Sequence, residues 1–165
     1  MSQIPRPVVV GALAVAILDG LDPVIFYAFR GVAPGRIFQG IAGGLMGREA
    51  ALAGGTPTVV LGMALHLFIA SVVVITYWLA SRKLPALVRH PIAYGMLYGL
   101  AVYAVMNFIV IPLSALGSGL KVPTIAITPA FLNGIFATLF CIGIPTGIAA
   151  RAAAREARSP VRLPL

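Results

Sequence analysis

Residues 57–81 read PTVVLGMALHLFIASVVVITYWLAS and contain no Asp, Glu, Lys or Arg. An α-helix rises about 1.5 Å per residue, so about 20 apolar residues cross the hydrocarbon core of a bilayer. This run is long enough to span with a turn to spare. Three further runs of the same kind follow from the same arithmetic, at 8–28, 92–113 and 129–150. Across the chain of 165 residues, 60% are hydrophobic and only 10% charged, against about 25% charged in soluble domains. A chain of this size cannot hide so much apolar surface in one core. A soluble globular enzyme and a disordered chain are both excluded. The sequence predicts a single all-α transmembrane domain over 1–165. It has four transmembrane helices, a short interfacial or re-entrant helix within 34–50 between the first two, and a basic tail at 151–165.

The formal net charge is +8, from 12 Lys and Arg against 4 Asp and Glu. The basic residues sit at the ends of apolar runs, with no aromatic-basic groove pattern, so no nucleic-acid partner is expected. Membrane lipid is the expected surrounding. With the N-terminus inside, the inner side holds Arg6, Arg82, Lys83, Arg89, Arg151, Arg155, Arg158 and Arg162. The outer side holds Arg30, Arg36, Arg48 and Lys121. The positive-inside rule therefore places both termini on the cytoplasmic side. The apolar stretch 8–18 has the length of a signal sequence, but Asp19-Gly20-Leu21-Asp22-Pro23 follows instead of a small-residue cleavage site, and it reads as a retained helix. The lone Cys141 allows no intrachain disulfide and no zinc site.

Thr56-Pro57 and Thr128-Pro129 each pair an N-cap residue with proline at the first helical position, and both read as helix starts. Tyr77 and Trp78 before Arg82-Lys83, Tyr94 and Tyr98 opening the third helix, and Tyr27 and Phe29 closing the first read as interfacial anchors. Within 37–50, Ile37, Ile41, Leu45 and Met46 share a face, with Arg36, Gln39 and Arg48 elsewhere. Pro112 and Pro145 should kink or end their helices, and Ser159-Pro160 should stop the tail. Gly95–Gly99 and Gly143–Gly147 are small-xxx-small patterns that permit close helix packing, within one chain or between chains. Gly11 aligns with Gly99, Gly62 with Gly134 and Asp19 with Asn107, which fits a parallel repeat of two hairpins. Start signals and small residues shared by four-helix membrane proteins give the same match.

Ionisable groups inside a bilayer are costly and mark functional sites. Asp19 costs up to about 2.5–3.5 kcal/mol at a helix centre, close to what the apolar residues of that helix return, so it needs a partner or a proton. Asp22-Pro23 reads as a cap and restart, where the first helix breaks or kinks near the interface. Asp19, His66, Asn107 and Thr138 lie at matching depths, and an inward-facing cluster of the four is geometrically allowed. A carboxylate beside an imidazole suits a proton relay or a pH-sensitive gate. The plainer reading is a polar clamp holding four helices together, at about 0.6 kcal/mol per hydrogen bond. His66 and His90 differ in depth, so no metal or haem is expected. The glycines at 40–47 lack the context of a phosphate loop. Ser71, Ser114 and Thr146 have no evident catalytic partner, so no catalytic residue and no cofactor is assigned.

His66 in a helix running to Tyr77, the Pro85 loop, Gly95 and Gly99 opening the next helix, and Pro112-Leu113 closing it resemble the YagU-like bacterial inner-membrane proteins over residues 62–113. The resemblance implies an inner-membrane location and a similar topology, in a family linked to acid tolerance. This chain lacks that family's long, charged outer loop, and Asn107 stands near a position where the family has histidine. A shared proton or metal role is not carried over. Two functions remain open. One is a non-catalytic accessory or structural subunit of a membrane assembly or homo-oligomer. The other is a small oligomeric transporter or channel, with Asp19 and His66 carrying a proton-linked step.

Overall fold

The computed structural model describes residues 4–117, 119 and 126–158. Among these, all regular structure is helical. Four helices are long and apolar enough to cross a membrane: α1 (Arg6–Ala28), α4 (Gly55–Ser81), α6 (Pro91–Leu113) and α7 (Pro129–Glu156). Between α1 and α4 the chain forms α2 (Pro34–Met46) and α3 (Arg48–Ala53), and between α4 and α6 the single turn α5 (Ala86–Arg89). Lys121, Arg162 and Ser159-Pro160 lie outside the described residues.

The four long helices run alternately up and down. The start of α1 meets the far half of α7, where Gly11 lies against Ala149, and the start of α6 meets α7 where Gly147 backs onto the Pro91 carbonyl. Arg6, Arg82, Lys83, Arg89, Arg151, Arg155 and Arg158 therefore cluster toward one end of the bundle. Arg30, Arg36 and Arg48 occupy the other. The core lies nearer the basic end: Val8, Ala12 and Val15 of α1 pack with Ala70 and Val74 of α4, Val102 of α6, and Ile142, Ala149 and Ala153 of α7. Large apolar side chains such as Val10, Ile17, Phe68, Leu97 and Ile148 point outward along all four helices, as expected where the surroundings are lipid.

The backbones of α6 and α7 approach closely along their glycines. A Cβ on Gly95 would collide with the Gly143 carbonyl, and one on Gly143 with the Gly95 carbonyl. A Cβ on Gly99 would strike the Thr138 carbonyl. The two small-xxx-small patterns thus face each other within one chain. Gly11 and Gly99 both pack on α7, whereas a two-fold repeat would send Gly99 to α4. The internal repeat is not seen in the packing.

Several sequence expectations need correction. Helix α4 begins at Gly55, not at Pro57, and Thr56 makes no cap. The chain turns at Gly55 with φ +61°, which a glycine adopts without the penalty other residues meet, and α3 leads almost directly into α4. Thr128 does cap α7, accepting from the Phe131 N–H at 3.1 Å. Helix α1 runs through Asp22-Pro23 without a break. Pro145 does not end α7, which continues to Glu156. Instead, residues Ala137–Gly143 form wider, i→i+5 bonded turns just ahead of it, and Met106–Val110 do the same ahead of Pro112. A proline cannot bond to the carbonyl four residues back, and widening the preceding turns re-registers the backbone around that loss.

Tyr77 and Tyr98 are not interfacial anchors. Tyr77 is 1% exposed, and its ring packs against Tyr98 with centroids 5.0 Å apart. Its hydroxyl donates to the Leu87 carbonyl at 3.2 Å, and that of Tyr98 to the Val73 carbonyl at 2.8 Å. The buried Tyr77 and the half-buried Tyr98 thus each find an acceptor for the polar end of the ring. Helix α2 packs on α4, where Gly62 admits the Phe38 carbonyl. Its buried residues are Gln39, Ala42 and Gly43, while Leu45 and Met46 are exposed. Gln39 Nε2 donates to the Gly55 carbonyl and to Thr58 Oγ1, both at 3.3 Å.

Candidate functional site

A cavity of about 750 Å³ opens toward the end of the bundle opposite the basic cluster. All four of Asp19, His66, Asn107 and Thr138 line it, one from each long helix. So do Asp22, Asn133, Tyr27, Tyr103, Phe108 and Phe131, with Ile37, Phe38 and Ile41 contributed by α2. A second, more apolar cavity of about 200 Å³ lies deeper, bounded by Val15, Ala70, Val73 and Val102. Asp19 and His66 border both cavities. Below the smaller one, the Tyr98 bond to Val73 and the Tyr77–Tyr98 contact close the bundle.

The four residues share a cavity but do not bond to one another. His66 Nε2 lies 2.9 Å from the Ala16 carbonyl of α1. A carbonyl oxygen only accepts, so Nε2 carries a proton and donates it to Ala16. Asn107 Nδ2 donates to the Tyr103 carbonyl on its own helix at 2.9 Å. Thr138 Oγ1 donates to Gly134 and Ile135 of its own helix, at 3.0 and 3.1 Å. A clamp made by direct bonds among the four is therefore not what holds the helices. Asn107 and Thr138 both sit in the widened turns, and such turns recur at functional sites.

The Asp19 carboxylate accepts no hydrogen bond from a described residue, yet lies within electrostatic reach of His66 and Asp22. Pro23 deepens the polarity there, because it offers no N–H to the Asp19 main-chain carbonyl. Asp22 caps no backbone. Its Oδ2 accepts from Asn133 Nδ2 at 2.6 Å, joining α1 to α7. Asn133 was the residue that sequence reasoning missed. The signal available was a carboxamide one turn beyond the α7 cap, on a helix with few other polar groups.

The charge balance of the cavity is distinctive. Two of the four acidic residues in the chain line it, and none of its described Lys or Arg residues does. Among the described residues no group of three or more His, Cys, Asp or Glu could hold a metal ion. No family model, no curated protein and no solved structure matches this chain.

Proposed function

We propose that this chain is one subunit of a small oligomeric transporter or channel of the bacterial inner membrane, with a proton-linked step at Asp19 and His66. The observation that supports this most is the placement of an unbonded carboxylate and a histidine at the border of an open cavity and a smaller inner one. A carboxylate in a membrane helix is retained at a cost and usually marks an ion or substrate path. Four helices are few for a complete path, so the proposal includes self-association. The positive-inside rule puts the basic end in the cytoplasm and the mouth of the cavity outside, with α2 at the outer interface. The YagU-like resemblance of 62–113 adds to the inner-membrane assignment.

The ionisable groups bordering the cavity are Asp19, Asp22 and Tyr27 of α1, His66 of α4 and Tyr103 of α6, with Cys141 of α7 near both carboxylates. The test is proton flux into vesicles reconstituted with the purified chain under an imposed pH gradient. Dissipation by the native chain is expected, with at least a tenfold loss in Asp19→Asn and an altered pH dependence in His66→Gln. A native chain that carries no flux, or variants that match it, would sink the proposal.

The second reading, an accessory or structural subunit, draws on the exposed Gly40 of α2, where an added Cβ would meet nothing within 4 Å. Native mass spectrometry after gentle extraction separates the two. A homo-oligomer supports transport, and recovery with unrelated subunits supports the accessory role.

A further inference from the structure

We infer that the larger cavity binds an organic cation with an aromatic or bulky apolar body. The inference rests on the transporter reading for its biological use, but its physical basis is independent of proton flux. The cavity volume of about 750 Å³ falls in the range that encloses a drug-sized ligand, about 300–1,000 Å³. Its charge selects the sign of the guest. An anion would enter a space with two carboxylates and no described Lys or Arg to offset them. An inorganic cation needs several oxygen ligands converging at short range. Asp22 is already engaged by Asn133, and no cluster with metal-ligand geometry exists among the described residues.

The walls select the body of the guest. Phe38, Tyr103, Phe108 and Phe131 line the same cavity as the carboxylates, as does Tyr27, whose ring already has the Arg30 guanidinium 5.8 Å from its centroid. Tyr103 and Phe131 meet edge to face with centroids 5.8 Å apart, which keeps both rings ordered across the α6–α7 side. Aromatic faces attract a diffuse cationic charge within about 6 Å of the ring centroid, and quaternary ammonium groups are recognised in this way. The unbonded Asp19 carboxylate is the counter-charge, and the rings supply the rest of the contact. A quaternary ammonium also lacks N–H donors, so it leaves none unsatisfied against the apolar walls.

The experiment uses the chain of 165 residues in detergent and benzyltrimethylammonium as the probe, followed by equilibrium dialysis. Benzenesulfonate, of similar size and opposite charge, is the comparison. Saturable binding of the cation, at least tenfold tighter than that of the anion, is the expected result. Asp19→Asn should weaken the cation by at least tenfold without lowering the thermal unfolding temperature. Phe131→Leu, which keeps apolar bulk without the ring, should weaken it severalfold. Absence of saturable cation binding by the native chain, equal binding of the anion, or an Asp19→Asn chain that folds and binds as well as the native one overturns the inference. Cation binding without proton flux would retain the site and discard the proton-linked function. Proton flux without cation binding would do the reverse.

Discussion

The two ends of the bundle solve opposite problems with the same kind of helix. At the basic end, Gly95, Gly143 and Gly147 bring α6 and α7 into backbone contact, and Gly11 lets α1 close on α7. Val8, Val15, Val74 and Tyr77 fill what remains and are almost wholly buried. At the other end the same four helices surround a cavity, and the residues facing inward are Asp19, Asp22, His66 and Asn133. In lipid there is no hydrophobic force between helices, so their association depends on close packing and on polar contacts. The closed end uses the first and the open end the second. Small residues thus close the basic end without help from the polar residues of the cavity.

The largest test of that division is Gly143→Val. Its Cβ would meet backbone on α6, which cannot move aside, so a loss of about 3 kcal/mol is expected. Unfolding by steric trapping in bicelles would measure it, and a loss below 1 kcal/mol would break the contrast. Thr146→Val probes the same end from the other side. Thr146 is 0% exposed and its hydroxyl has no partner among the described residues. Replacing an unsatisfied buried hydroxyl with a methyl should stabilise the chain by about 1 kcal/mol. A loss in the same assay would mean that the hydroxyl has a partner in the membrane.

At the open end, Asn133→Leu removes the bond to Asp22. The expected cost is about 0.6 kcal/mol, the usual worth of one interhelical hydrogen bond in a membrane. A cost near that of Gly143→Val would show that polar contacts carry the bundle after all. The smallest effect is expected at Gly40→Ala, where the added methyl meets open space. Alanine should stabilise α2 by about 0.5 kcal/mol through its better helix propensity. A marked loss of oligomer in native mass spectrometry of this variant would instead identify Gly40 as part of a subunit contact.

The sequence was most legible where one residue's chemistry acts alone or in a long sum. The four long helices follow from apolar length, and the Thr128-Pro129 start from a local cap. Depth along a helix also brought Asp19, His66, Asn107 and Thr138 to one level, and all four line one cavity. What could not be read is which residue meets which. Asp22 and Asn133 are 111 positions apart, and periodicity assigns a face without naming the partner across it. Tyr77 looked interfacial because Arg82 and Lys83 follow it, but its ring turns inward onto Tyr98. Gln39 lies off the apolar face that the spacing defines, yet α2 turns that side to α4, where Thr58 and the Gly55 carbonyl satisfy it. The widened turns were invisible because only the prolines that follow them, and no residue inside them, carry a signature.

Those turns have a consequence for the phase of α7. Successive residues of an α-helix are offset by about 100° around its axis, so one residue gained or lost rotates everything beyond it by that angle. The stretch Ala137–Gly143 stands between Asn133, which meets α1, and Gly147, which meets the start of α6. Those two contacts depend on the wider turns to stay in angular agreement. Deleting one residue within 137–143 would restore an ordinary helix with Gly147 still close to its seam, whereas ordinary turns at the present length would swing Gly147 out by about 100°. A helix that aligned both contacts without the wide turns would need one residue fewer between them.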